Sequence, residues 1–190
     1  MAVLPVVTYP DPVLRQRCKE VIAFDASLHK LLDDMGETMA AAEGIGLAAN
    51  QVGDLRRLFL MNVPVDENTT TGLLEVINPR VVAKRGEVRF EEGCLSFPSV
   101  YEFVVRANEI ELHYQDRSGA AQKLICRGIV AICVQHEFDH LEGITFLDRL
   151  SPLKRQLALR DYDRKNREAL DDKAFRAKAR ARRSPPQQIS

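Results

Sequence analysis

Near the middle of the chain, His136-Glu137-Phe138-Asp139-His140 carries the pattern His-Glu-x-x-His within the longer stretch Gln135 to Gly143. The run before it, Gly128 to Val134, mixes apolar and small residues as a buried helix does. On a helix, residues four apart share a face with their Cβ atoms about 5–6 Å apart, so His136 and His140 can offer two imidazole nitrogens to one cation. Glu137 sits one step round from that face. There a carboxylate can touch a water on the cation and act as its general base. The chemistry within reach is metal-assisted hydrolysis, if the chain supplies a third ligand.

An extended form of the pattern, His-Glu-x-x-His-x-x-Gly-x-x-His, finds its glycine in Gly143 but meets Phe146 where the last histidine would stand. A carboxylate ligand on a later helix would have to be Asp161 or Asp163, both in heavily charged sequence. The remaining soft donor is upstream. Cys94 lies in the turn Gly93-Cys94-Leu95-Ser96, which can present a thiolate without crowding. Two imidazoles and one thiolate leave a fourth position for water, as in a catalytic rather than a structural site.

The elements that must hold these residues can be read in outline. Phe24 to Glu43 predicts a helix, with Asp25 as N-cap, Leu28, Leu31, Leu32, Met35 and Met39 at helical spacing, and Gly44 ending it. Short β-rich runs follow at 58–61, 73–77, 88–90, 103–105 and 110–114. Residues 64–72 are a polar loop, and Asp116-Arg117-Ser118-Gly119 is a turn joining 109–115 to 120–126 as a hairpin. The central helix covers 128–141. Ser151-Pro152 then provides an N-cap and a first-turn proline for a long terminal helix. Strands followed by helices predict an α+β fold, with mixed and antiparallel strands packed around the metal-binding helix.

At 190 residues and 45% hydrophobic content the chain is expected to be globular, with one catalytic domain over 1–150, a basic helix over 151–183 and a disordered tail over 184–190. No run approaches the roughly 18 apolar residues of a membrane span. Pro5, Pro10 and Pro12 break the amino-terminal stretch, which lacks the basic start of a secretory signal, so a cytoplasmic location is expected. Cys18, Cys94, Cys126 and Cys133 are accordingly read as reduced thiols, Cys126 and Cys133 as small core residues. Charge is divided unevenly. Residues 151–190 hold 12 Lys and Arg against 5 Asp and Glu, a balance of +7, leaving −7 on residues 1–150. A basic tail on an acidic body fits either nucleic-acid contact or a solvated helix. His29 and His113 are read as surface or strand residues without a role.

Three segments, Gly44-Ile45-Gly46-Leu47-Ala48-Ala49-Asn50-Gln51, Glu92-Gly93-Cys94-Leu95-Ser96 and Gln135 to Gly143, together resemble the three signature motifs of the peptide deformylases, in the right order and with no defining position changed. The resemblance spans most of residues 1–150. It implies removal of the formyl group from the formyl-methionine that begins new bacterial polypeptides, with release of formate. It implies a divalent ion on Cys94, His136 and His140, Fe²⁺ in the cell and Zn²⁺, Ni²⁺ or Co²⁺ in preparations, all compatible with a thiolate and two imidazoles. Glu137 would move the proton from the attacking water to the leaving amine. Gln51 and the backbone N–H of Leu95 would stabilise the oxyanion.

Gly44 and Gly46 would let a peptide lie close enough to pair as an added strand. Ile45, Ile129, Ile132 and Cys133 would take the methionine side chain, with Tyr101 near the mouth. Asp139 either braces the site or faces solvent. The resemblance also implies ribosome contact through the basic helix. Two rival readings are a different metallohydrolase that cleaves internal peptide bonds, and a non-catalytic ribosome- or RNA-binding protein; a purely structural metal site would not need Glu137 and Gln51.

Overall fold

A computed structural model describes residues 2–66 and 69–183, with side chains as far as residue 168. Its seven strands are β1 (Gly46–Ala48), β2 (Leu58–Met61), β3 (Leu74–Arg85), β4 (Val88–Cys94), β5 (Phe97–Arg106), β6 (Glu109–Gln115) and β7 (Ala121–Arg127). The helices are α1 (Ala26–Ala41), α2 (Gly128–Leu141) and α3 (Pro152–Arg183). Five strands form one antiparallel sheet in the order β1-β2-β3-β6-β7, and β4 pairs with β5 in a second, two-stranded sheet. The α+β layout and the central helix agree with the sequence reading. The tail expected at 184–190 lies outside the described residues.

β2 shows how the layers are built. All four of its residues are buried. Leu58 and Leu60 pack with Leu28, Leu32 and Met35 of α1, whereas Phe59 and Met61 pack with Ala131 and Val134 of α2. A strand covered on both faces reads as an unbroken apolar run rather than an alternation. The Asp25 side chain accepts the Leu28 N–H at 3.0 Å and caps α1 as predicted.

Helix α2 is buried over nearly its whole length and stops at Gly143, which has a positive φ of 71°. A Cβ at Gly143 would lie 2.4 Å from the Arg15 carbonyl oxygen, so the chain can leave the helix only through glycine here. A third cluster, built from Phe97, Val100 and Val104 of β5, Phe146 and Leu147 of a short 3₁₀ turn, and Ala158 and Tyr162, docks the start of α3.

Several strands run further than their sequence signals. β3 continues eight residues past the predicted run, to Arg85, because its pairing with β6 carries it into charged sequence. β5 begins at Phe97, six residues before the predicted run, through Pro98, Ser99 and Glu102, residues that favour turns or solvent. The 64–72 loop includes one antiparallel bridge, Pro64 with Thr70.

Candidate active site

Cys94 closes β4 immediately after an irregularity in the β4–β5 register, and faces His136 and His140 on successive turns of α2. One ligand atom from each lies within 4.8 Å of the other two, and among the described residues this is the one such group of three. Cys94 Sγ is 3.2 Å from His140 Nε2. His136 Nδ1 is 2.8 Å from Glu92 Oε2, which leaves its Nε2 for the cation. A thiolate and two imidazoles converging from rigid elements fit a divalent metal ion with an open coordination position.

Behind the ligands lies a buried ionic network. Arg106 is buried on β5 and donates from Nε and Nη2 to the two oxygens of Glu92, at 2.7 and 2.9 Å, and from Nη1 to Asp139 at 2.5 Å. Arg149 also donates to Asp139. Asp139 therefore braces the site and does not face solvent. Burial alone would raise the Glu92 carboxyl, but Arg106 and His136 outweigh it and hold the group at about 2. The sequence reading placed Glu92 in a signature segment without giving it a role, and passed over Arg106. The usable signal was phase, since Val100, Val104 and Arg106 share the inward face of β5.

Glu137 is buried, and its Oε2 has no hydrogen-bond partner. Burial pushes its carboxyl up to about 7, with His136 opposing the rise. Gly46 makes room for it, because a Cβ there would lie 2.3 Å from Glu137 Oε1 and 3.0 Å from Cys133 Sγ. Gln51 sits in a 3₁₀ turn directly after β1. Its Oε1 accepts the Ala48 N–H at 2.9 Å, which turns its amide NH₂ toward Ser96 Oγ at 3.1 Å and Cys94 Sγ at 3.5 Å.

These groups open into a cavity of about 540 Å³. Gly44, Ile45 and Gly46 form one wall, Ile129, Ile132 and Cys133 another, and Leu95 and Tyr101 line it as well. Twelve of the thirteen residues singled out from the sequence thus line one space, and the thirteenth, His140, stands behind it against Cys94. The structure adds Phe90, Glu91 and Val100 to the lining, from a strand pair whose full length the sequence did not disclose. β1 is the outer strand of the larger sheet and β4 pairs only with β5, so each has an edge that no other described strand pairs with, and residues of both line the cavity. Among the described residues no helix is long and apolar enough to cross a membrane.

The family model described as polypeptide deformylase matches residues 3–156. A peptide deformylase of Wolinella succinogenes is 44% identical over 169 residues, covering 88% of this chain and 99% of that one. Among solved structures, a peptide deformylase from Legionella pneumophila superposes with a TM-score of 0.83 at 41% identity, covering 89% of this chain and 98% of that chain. One from Ehrlichia chaffeensis, in complex with actinonin, gives a TM-score of 0.83 at 42% identity, covering 88% and 99%.

Proposed function

This chain belongs to the polypeptide deformylase family, and from that premise we infer that its cavity takes the amino terminus of a formyl-methionyl peptide and its ionisable groups hydrolyse the formyl amide, releasing formate. Membership displaces both the internal-bond peptidase and the non-catalytic binding protein. The observation that carries the reading is the cluster of Cys94, His136 and His140 donors beside a cavity lined by Glu137, Gln51 and residues of the edge strands β1 and β4.

Cys94, His136 and His140 would hold a divalent ion, which when bound would supply Lewis acidity and lower the pKa of a water toward neutrality. Glu137 takes the proton from the attacking water and gives it to the departing amine as the C–N bond breaks; a buried carboxyl raised to about 7 suits both transfers. Gln51 Nε2 and the Leu95 N–H donate to the oxyanion that develops on the formyl oxygen. Gln51 is preorganised for this by Ala48 and Ser96. The methionine side chain enters between Ile45, Ile129, Ile132 and Cys133, past Tyr101, while the peptide backbone pairs along Gly44 to Gly46 as an added strand.

Fe²⁺ is the ion in the cell, with Zn²⁺, Ni²⁺ or Co²⁺ able to replace it; the soft thiolate supports this group of metals over magnesium or calcium. The enzyme works in the cytoplasm, where new chains leave the ribosome. The +7 balance of residues 151–190 supports ribosome contact through α3. Co-sedimentation with ribosomes that is unchanged after deletion of 165–190 would count against that contact.

The central test is formate release from formyl-Met-Ala-Ser by protein prepared without oxygen and loaded with Fe²⁺ or Ni²⁺, beside Glu137→Ala. Turnover by the wild type and none by the variant is expected. A folded, metal-loaded wild type that releases no formate would overturn the reading.

A further inference from the structure

The outer face of the small sheet carries an apolar stripe that begins inside the catalytic cavity and runs out of it. Tyr101, Phe103 and Val105 alternate along β5 with buried residues and are 66%, 46% and 57% exposed. Across the sheet they stand opposite Gly93, Glu91 and Arg89 of β4. Their setting is built rather than loose. A Cβ on Gly93 would lie 2.7 Å from the Tyr101 ring, so that ring occupies the space a side chain there would need. The Arg89 guanidinium lies 4.7 Å from the centre of the Phe103 ring. Among the described residues none buries these three side chains, although each is large and mostly apolar.

Resting on the function proposed above, we propose that this stripe holds the part of the nascent chain that follows the first residues, and that it favours apolar side chains there. Continuity identifies the occupant. Gly93, Glu91 and Tyr101 line the cavity themselves, so a peptide leaving it over this face of the small sheet meets Tyr101 first, then Phe103, then Val105. Successive rungs are two residues apart, about 6–7 Å, and every second side chain of an extended peptide projects to the same face. The three rungs therefore match alternate side chains of a segment roughly five residues long. The stripe supplies a preference that a three-residue substrate cannot display.

The test compares formyl-Met-Ala-Ser, formyl-Met-Ala-Ser-Gly-Ser-Gly and formyl-Met-Ala-Ser-Leu-Phe-Leu on the wild type and on Phe103→Ser/Val105→Ser. The apolar hexapeptide should show a KM about fivefold below that of the polar one, the scale of partial burial of one or two side chains. The double variant should erase that difference and leave formyl-Met-Ala-Ser turnover unchanged. That tripeptide arm separates failure of the stripe from failure of the deformylase reading. Equal KM values for the two hexapeptides on the wild type would overturn the proposal. So would sedimentation showing that the wild type is a dimer which the double variant dissociates, since the stripe would then be covered by a second copy.

Discussion

Glu92 Oε2 lies 2.8 Å from His136 Nδ1 while the other Glu92 oxygen accepts from Arg106 Nε at 2.7 Å, so one buried carboxylate links a metal ligand to a guanidinium on the neighbouring strand. The carboxylate fixes which imidazole nitrogen is free for the cation, and the guanidinium fixes the carboxylate.

Breaking this link should cost far more than an ordinary surface ion pair. The side chains of Arg106 and Glu92 are each 4% exposed, and removing one partner of a buried pair typically costs about 3–5 kcal/mol because the other charge is stranded. Arg106→Ala is expected to lower the urea midpoint severely. A midpoint within experimental error of the wild type would show that Glu92 and Asp139 find other partners.

Acid should act through the same carboxylate. Glu92 is held at about 2 in the folded chain against an ordinary 4.5, so its stabilising contribution is complete above pH 4.5 and is lost as the pH falls from there through about 2. Over that window Glu92→Gln should lose less stability than the wild type, whatever its absolute stability. Parallel urea-midpoint curves for the two proteins between pH 5 and 3 would remove Glu92 from the acid response.

Gln51→Leu keeps the side-chain volume but removes the donor that Ala48 and Ser96 orient. Turnover of formyl-Met-Ala-Ser should fall by about 10²–10³ with metal content unchanged, as expected for loss of one oxyanion donor. Full activity in that variant would take Gln51 out of the reaction.

Gly46→Ala adds a single methyl group, yet that carbon would fall 2.3 Å from Glu137 Oε1. The base must move or the strand must shift, and displacement of a catalytic group by about 1 Å can cost 10²-fold. A kcat reduced by that order is expected, with metal binding retained. Wild-type kcat would mean that Glu137 has slack the packing does not suggest.

The sequence disclosed the parts of the site that sit on regular elements. His136, Glu137 and His140 follow from helical spacing alone, and α2 spans the residues that its apolar run and Gly143 delimit. β1 was not visible, because a three-residue strand such as Gly46–Ala48 exists through its pairing with β2 rather than through propensity. Nor was the network of Glu92, Arg106, Asp139 and Arg149. Its members come from two strands, a helix and a 3₁₀ turn, and an inward-facing arginine is recognisable only once the strand around it is known to reach residue 106. The charge on Asp139 suggested solvent when taken alone, and only tertiary structure brings two guanidiniums to it.

The Tyr162 hydroxyl donates to the Tyr9 carbonyl at 2.7 Å, and the two rings pack edge to face with Phe97 against both and Phe146 beyond it. These contacts join positions 153 residues apart, so they form only once the chain has been made as far as residue 162. A polypeptide released early, short of residue 162, would leave the faces of Tyr9 and Phe97 bare to water.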